Sequence, residues 1–477
     1  MSLSYTSFGQ IQKDLTASKI SCLELVQHYL TNIEKNKNLN AFLAVYEQEA
    51  LLRAKEIDEK LKVDKAGRLA GMVIGLKDVF CYAEHGLQAS SKILNGFESQ
   101  FTATCVQRLL DEDAIIIGRQ NCDEFAMGSS NETSAFGPVK NALGENLVPG
   151  GSSGGSAVAV QADMCLVALG SDTGGSVRQP AALCGIMGFK PTYSRISRHG
   201  LIAYASSFDT VGAFAKSSED LALVLEIMAG ADEFDSTVSQ REVPNYQSFL
   251  AKKPEKLRIA YIDNTISHEG VNPEVRKATQ DTIAWLKSEG HTLEAVDFSL
   301  LEYALPVYYI LTTAEASTNL ARFDGVRYGY RSPNVTDIES LYKKSRSEGF
   351  GREVKRRIML GTFVLSASYY DAYFTKAQKV RRLIREQTLD FFQKFDFLIC
   401  PTTPTTAFKI GELSEKTVEM YLSDLFTVQA SVAGVPAISV PNGQDSNNLP
   451  IGLQIMASAF EEGPLLSFAN YLIKRTS

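Results

Sequence analysis

Histidine and cysteine are scarce in this chain of 477 residues. It has five histidines and seven cysteines, and no two cysteines have the Cys-x-x-Cys spacing. An odd number of unclustered cysteines argues against a disulfide framework, and no group of histidine, cysteine or carboxylate residues has the spacing of metal ligands. We therefore expect reduced thiols, no metal bound by the chain and a cytoplasmic protein.

Long apolar runs and phosphate-binding motifs are also missing. No uninterrupted apolar run approaches about 18 residues, and the first six residues lack the charged and apolar segments of an export signal. We therefore expect neither membrane attachment nor export. The chain has neither Gly-x-Gly-x-x-Gly nor Gly-x-x-x-x-Gly-Lys-Ser/Thr, so we expect no cofactor on this chain and any ATP to bind elsewhere.

The charge balance excludes a chain that is basic overall. Its 48 lysines and arginines face 55 aspartates and glutamates, which gives a net charge of −7. Nucleic acids are bound through clusters of positive charge. We therefore expect a partner to contact any nucleic acid, unless the fold gathers a local basic patch.

Apolar strands and helices alternate along much of the chain, which is typical of an α/β fold. We predict a single domain over residues 1–477, built on one large mixed β-sheet that helices cover on both faces. Its predicted parts are N-terminal helices at 1–65, a strand–helix core at 66–230, a helical lobe over the active site at 270–390 and a return to the sheet at 391–477.

Three polar residues stand in surroundings that suggest a catalytic site. Lys77 follows an apolar segment typical of a buried strand, Ser152 lies in the run Gly-Gly-Ser-Ser-Gly-Gly-Ser, and Ser176 follows Asp-Thr-Gly-Gly at a strand-to-helix turn. Serine is a poor nucleophile unless a base accepts its proton, and a lysine that burial holds neutral can be that base. The pair Ser152 and Ser153 can relay the proton between them. These residues predict a Ser/Ser/Lys acyl-transfer site.

The turn that carries Ser176 also offers a site for negative charge. Its successive backbone N–H groups can converge on an anion, as an oxyanion hole requires. These donors belong to Thr173, Gly174, Gly175 and Ser176.

Two other interpretations of the glycine-rich run are open. A Gly/Ser segment is often a flexible linker. Gly150-x-Ser152-x-Gly154 also fits the nucleophile elbow of α/β-hydrolases, which would make Ser152 the nucleophile and require a later aspartate and histidine. The apolar Ala-Val-Ala-Val after the run and the polar contexts of the later histidines argue against both.

Together, these motifs resemble those of the amidase signature family. The resemblance implies the amidase signature fold, with Ser176 as nucleophile, Ser152 as bridging serine after a cis peptide bond, and Lys77 as base. Within the family, the chain is similar to the A subunits of glutamyl-tRNA(Gln) amidotransferases. Segments that carry this likeness lie at 123–134, 136–141, 188–193, 346–351 and 353–358.

The narrower resemblance implies a glutaminase that works in a heterotrimer. Its ammonia would pass to a B subunit, which binds ATP and Mg and amidates Glu-tRNA(Gln) or Asp-tRNA(Asn), while a small C subunit stabilises the pair. The misacylated tRNA would be reached mainly through the B subunit. The alternatives are a stand-alone amidase with the same three residues and a non-catalytic assembly subunit.

The resemblance also implies a glutamine pocket. Free glutamine is a zwitterion, so a selective pocket needs a cation for its carboxylate and an anion for its ammonium. The matching residues are Arg357 and Asp424, with Tyr308 as a further contact. Arg356 replaces Arg357 if the register is shifted by one. From local pattern alone, Arg357 fits a solvated helix face and Asp424 a helix cap.

Overall fold

The computed structural model describes residues 3–251, 255–413 and 416–476, and its strands form one sheet. The strands are β1 Phe42–Val45, β2 Val73–Lys77, β3 Ile115–Gln120, β4 Val167–Asp172, β5 Met187–Lys190, β6 Thr210–Ala215, β7 Arg258–Ile262, β8 Thr292–Val296, β9 Phe397–Pro401, β10 Ala437–Gln444 and β11 Pro450–Met456. Their order across the sheet is β1-β3-β2-β4-β6-β5-β10-β11-β9-β7-β8.

The sheet is mixed, and helices cover it. The pairs β2–β3, β2–β4, β7–β8 and β7–β9 are parallel, and the other neighbouring strands are antiparallel. Every residue of β2, β3 and β4 is buried, which requires cover on both faces. The predicted α/β fold with a single large mixed sheet is confirmed.

The α-helices follow the strands and pack around the sheet. They are α1 Phe8–Thr16, α2 Cys22–Lys35, α3 Glu47–Lys62, α4 Thr104–Asp111, α5 Gly154–Gln161, α6 Arg178–Cys184, α7 Ser218–Met228, α8 Gln247–Leu250, α9 Asp263–Ile266, α10 Pro273–Ser288, α11 Leu301–Asn319, α12 Ile338–Gly349, α13 Arg352–Val364, α14 Lys376–Phe391, α15 Thr417–Leu422, α16 Val428–Ala433 and α17 Glu462–Thr476. Over the ranges that the structure covers, no helix combines the length and apolar character needed to cross a membrane.

Strands β2 and β4 bring the predicted catalytic residues to one edge of the sheet. They are parallel neighbours, with Leu76 opposite Leu169. Because parallel strands end on the same side, Lys77 at the end of β2 lies beside the turn between β4 and α6, which carries Ser176.

The two edge strands differ from the sequence-based expectation. The sequence predicts helices over residues 1–65 and 270–390, yet these ranges contain β1 and β8, which pair with β3 and β7. The β8 sequence Thr-Leu-Glu-Ala-Val includes three residues that favour helices, and pairing with a distant strand overrides that local preference. The proposed boundaries of the chain's parts stay predictions.

Candidate active site

Lys77 is buried among serine hydroxyls. Its Nζ donates hydrogen bonds to the Oγ atoms of Ser152 at 2.7 Å, Ser153 at 2.8 Å and Ser171 at 2.9 Å. The side chain has no exposed surface. The three hydroxyls therefore replace the water that would surround an exposed lysine, and they hold the amine against Ser152.

Burial changes the protonation of this lysine. Loss of solvation lowers the pKa of Lys77 from its ordinary value of 10.5 to about 8. The carboxylates of Asp123, Asp172 and Asp209 favour the charged form and oppose this shift. A neutral amine is thus available near neutral pH, as a general base requires.

Ser152 is presented to Lys77 by a tightly packed backbone. The peptide bond between Gly151 and Ser152 is cis, as the resemblance implies. The Gly151 N–H donates to Gln179 Oε1 at 2.9 Å, and the Ser152 carbonyl oxygen accepts from the Asp123 N–H at 3.0 Å. A β-carbon at Gly151 would lie 2.1 Å from Asp123 Oδ2. This run is part of the buried core, so its interpretation as a flexible linker is wrong.

Ser176 adjoins the same cluster from the neighbouring turn. Its carbonyl oxygen accepts the N–H of Ser153 at 3.2 Å. Ser176 is 8% exposed, whereas Lys77 and Ser152 are 0% exposed. Among these three residues, Ser176 is therefore the one that solvent reaches.

A buried ion pair fixes the turn around Ser176. The Nη2 and Nε atoms of Arg178 donate to the Asp172 carboxylate at 2.8 and 3.0 Å. The same carboxylate accepts the N–H groups of Gly175 at 2.9 Å and Val177 at 3.2 Å. Both side chains of the pair are fully buried. Charge-assisted hydrogen bonds thus determine the backbone path beside the predicted nucleophile.

The same contacts change the predicted oxyanion hole. The N–H of Gly175 points to Asp172, so one of the four predicted donors is engaged elsewhere in this conformation. The other three donors stay predictions. Tyr308 covers the turn, because a β-carbon at Gly174 would lie 2.5 Å from its ring.

Arg357 lies inside the protein although it belongs to a basic run. It is 4% exposed, and its Nε donates to Glu353 Oε1 at 2.8 Å. Its guanidinium carbon lies 5.2–5.7 Å from the centroids of three aromatic rings, which favours cation–π contact. Those rings belong to Tyr204, Tyr309 and Tyr421. Arg356 has 35% of its side chain exposed. The solvated-face interpretation is therefore wrong for Arg357, and the inward cation is Arg357 rather than Arg356.

Asp424 is the buried carboxylate of this cluster. Its Oδ2 accepts hydrogen bonds from Ser129 Oγ at 2.6 Å and from the Tyr309 hydroxyl at 3.2 Å. Burial raises the pKa of Asp424 to about 7, against the opposing effects of Ser129 and the charge of Arg357. Because its carboxylate bonds to two distant side chains, the interpretation of Asp424 as a helix cap is wrong.

Aromatic rings connect this charged cluster to the Ser176 turn. Tyr309 contacts both Arg357 and Asp424, and its ring centroid lies 5.1 Å from that of Tyr308, which covers Gly174. A cavity of about 270 Å³ opens on the outer side of the cluster. Its wall includes Ser129, Glu353, Arg356, Arg357 and Tyr421.

Comparison with known proteins identifies the family. The family model for amidases matches residues 24–466. The chain belongs to the amidase signature family. Amidase relatives named as the A component of glutamyl-tRNA(Gln) amidotransferase are similar over almost the whole chain. The protein of Chlorobium phaeobacteroides is 50% identical over 470 residues and that of Chlorobaculum tepidum 48% over 472 residues, with 98% of each chain covered in both comparisons. The narrower sequence resemblance is confirmed.

Solved amidase structures share the fold. The A component of glutamyl-tRNA(Gln) amidotransferase from Thermotoga maritima has a TM-score of 0.79 at 38% identity, covering 95% of this chain and 91% of that one. A peptide amidase from Stenotrophomonas maltophilia has a TM-score of 0.81 at 29% identity, covering 98% and 96%. The expected amidase signature fold is confirmed, and shape alone does not separate these two classes of relative.

Several residues of this amidase site were missed by the sequence analysis. Ser129 and Tyr309 hold Asp424, and the pair Asp172 and Arg178 holds the Ser176 turn. Ser129 lies in one of the segments that carry the family likeness, which was the available signal. The roles of the predicted catalytic and glutamine-binding residues stay predictions.

Proposed function

We propose that this amidase is the glutamine-hydrolysing subunit of a tRNA-dependent amidotransferase. The observation that carries the proposal is a buried cation and a buried carboxylate, Arg357 and Asp424, which share Tyr309 as a neighbour beside the Ser176 turn. Free glutamine carries a carboxylate and an ammonium on one carbon, so this pair can bind both. The names of relatives that are 50% and 48% identical support the same function.

Glutamine binding uses both charges. Arg357 binds the α-carboxylate, because its planar guanidinium can donate two parallel hydrogen bonds. Asp424 binds the α-ammonium, and the arriving cation favours the ionised form of a carboxyl whose pKa burial has raised to about 7. Tyr308 lies between this clamp and the turn. We take the cavity beside Arg357 as the outer part of this pocket.

Chemistry then begins at the buried lysine. Neutral Lys77 accepts a proton from Ser152, which accepts one from Ser176 as its Oγ attacks the side-chain amide carbon. Backbone N–H groups of the turn stabilise the oxyanion. The tetrahedral intermediate collapses when the C–N bond breaks and the relay returns a proton to the departing ammonia. Water then hydrolyses the glutamyl ester and regenerates the Ser176 hydroxyl.

The ammonia is the product that the rest of the complex uses. We propose a B subunit that activates Glu-tRNA(Gln), or Asp-tRNA(Asn), with ATP and Mg, and a small C subunit that completes a cytoplasmic heterotrimer. The net charge of −7 supports a division of labour in which the B subunit makes most of the tRNA contacts.

Replacement of Ser176 by alanine tests the proposal. In the chain co-expressed with candidate B and C subunits, Ser176→Ala should abolish glutamine-dependent amidation and leave amidation from added ammonium intact, because only the ammonia source is lost. Retained glutamine-dependent amidation would contradict the assignment. Loss of both activities, with a folded complex, would point to a non-catalytic assembly role for this chain.

A matched pair of arginine variants tests the substrate. Arg357→Gln should raise the KM for glutamine by about tenfold or more, because it removes a charged hydrogen-bonding partner. Arg356→Gln should change it far less. The structural likeness to a peptide amidase supports a stand-alone amidase as the second candidate. Partner-independent turnover of simple amides, with glutamine ignored, would establish that alternative.

A further inference from the structure

A second cavity lies outside the candidate active site and is larger than the first. Its volume is about 480 Å³, against about 270 Å³ for the cavity beside Arg357. This is within the range of roughly 300–1,000 Å³ that small-molecule pockets occupy. Three arginines of α14 line it, namely Arg381, Arg382 and Arg385, and no carboxylate is among its described lining residues.

The three arginines are held in different ways. Arg381 is fixed, because its Nη2 donates to the Ser207 carbonyl oxygen at 2.9 Å and its guanidinium carbon lies 4.0 Å from the Phe208 ring centroid. Arg382 pairs with Glu386 at 2.7 Å and stays at the rim with 80% of its side chain exposed. Arg385 is exposed and follows Arg381 by one helical turn. Like charges at this spacing destabilise a helix unless a counter-charge is present.

Aromatic rings and further arginines complete the cavity. Tyr193 and Phe460 lie in its wall. The guanidinium carbon of Arg198 lies 5.5 Å from the Tyr193 ring centroid, and that of Arg241 lies 4.1 Å from the Phe460 ring centroid. Five arginines therefore surround one concavity in a protein whose net charge is −7.

We propose that this cavity is a nucleotide-binding site that recognises a phosphate group next to a planar base. Guanidinium groups at Arg381 and Arg385 match the oxygens of a phosphate, which they can bind bidentately. The wall formed by Tyr193 and Phe460 offers aromatic surface against which a base can pack. The nucleotide is either free or part of an RNA strand, since both present the same chemistry. The inference does not rest on the proposed glutaminase activity.

Titration of the full-length chain tests this site. The probes are inorganic phosphate, AMP and a fluorescently labelled RNA hairpin, measured by calorimetry and fluorescence anisotropy at fixed salt. Arg385→Gln should weaken AMP or hairpin binding by about tenfold, because a charged contact to phosphate is lost. Arg385→Lys should recover part of the loss, since it keeps the charge but not the planar fork. Glutamine hydrolysis should be unchanged in Arg385→Gln.

Arg331→Gln is the matched control, because Arg331 is an exposed arginine outside this cavity. Weaker AMP binding in Arg385→Gln alone supports a free-nucleotide site, and weaker hairpin binding alone supports an RNA-strand site. The proposal is overturned if neither AMP nor the hairpin binds, or if Arg331→Gln causes the same loss. It is also overturned if inorganic phosphate binds as tightly as both, because the aromatic wall would then contribute nothing.

Discussion

Lys77 and Lys190 occupy equivalent positions in two different parts of the sheet. Each is the last residue of a strand, β2 or β5, and each is almost completely buried. Loss of solvation lowers the pKa of Lys77 to about 8 and that of Lys190 to about 7. If the pKa alone decided the matter, Lys190 would be the better base at neutral pH.

The contacts of the two amines separate them. The Lys77 amine touches three serine hydroxyls, each of which can give up a proton. The Lys190 amine donates to the Pro191 carbonyl oxygen at 2.9 Å, which has no proton to give. A lowered pKa therefore makes a general base only where a proton donor lies within hydrogen-bonding distance. This difference yields four predictions.

The largest expected effect is on glutamine hydrolysis by the two lysine variants. Lys77→Met should lower kcat/KM by about 10⁴-fold or more, because the general base is removed. Lys190→Met should keep most of the activity, since its amine reaches no reacting group. Steady-state assays on both variants, with circular dichroism to verify folding, make the measurement. Equal losses would refute the distinction between the two lysines.

A smaller effect separates the two serines that contact Lys77. Ser152→Ala should lower kcat/KM by about 10²–10⁴-fold, because the proton relay is broken. Ser153→Ala removes a hydrogen bond to the same amine and should cost much less. Steady-state kinetics of this pair locates the relay. If Ser153→Ala proved the more damaging change, the relay would belong to Ser153.

The pH profile of activity should report Lys77 and not Lys190. The neutral amine is the active form, so kcat/KM should rise tenfold per pH unit and level off above the pKa of about 8. Lys190→Met should show the same profile, measured from pH 6 to 9.5. A flat wild-type profile, or a limb that disappears in Lys190→Met, would contradict this account.

The smallest effect is on stability. Lys190 has a pKa of about 7 in the folded chain against an ordinary value of 10.5. Between those pH values the unfolded chain binds more protons, so wild-type stability should rise with pH relative to Lys190→Met. Urea unfolding of both proteins at pH 6.5 and 9.5 measures the change. A constant difference would show that the Lys190 pKa is not lowered.

The catalytic core was predictable because its signals are local. The apolar segment before Lys77 and the glycine-rich run around Ser152 each combine composition and turn chemistry within about ten residues, which suffices to indicate a strand or turn. The structure brings both beside the Ser176 turn as expected. Edge strands β1 and β8 were missed because their state depends on partners far away in the sequence.

The charged cluster was less accessible to sequence reasoning. The hydrogen bond between Ser129 and Asp424 spans 295 residues. Arg357 stands in a run typical of solvated helices, and only three tyrosines from distant elements make its position buried. No local pattern carries such information, so the family resemblance alone identified Arg357 and Asp424.

Labelling of Ser176 by a serine-directed fluorophosphonate tests the central claim most directly, because it measures activation of the nucleophile without glutamine binding. The rate of labelling, followed by mass spectrometry from pH 6 to 9.5, should rise with pH and level off near the Lys77 pKa of about 8 in the wild type and in Lys190→Met. Lys77→Met should label very slowly at every pH. Labelling of Lys77→Met at the wild-type rate would contradict the account, because Ser176 would then need no base at Lys77.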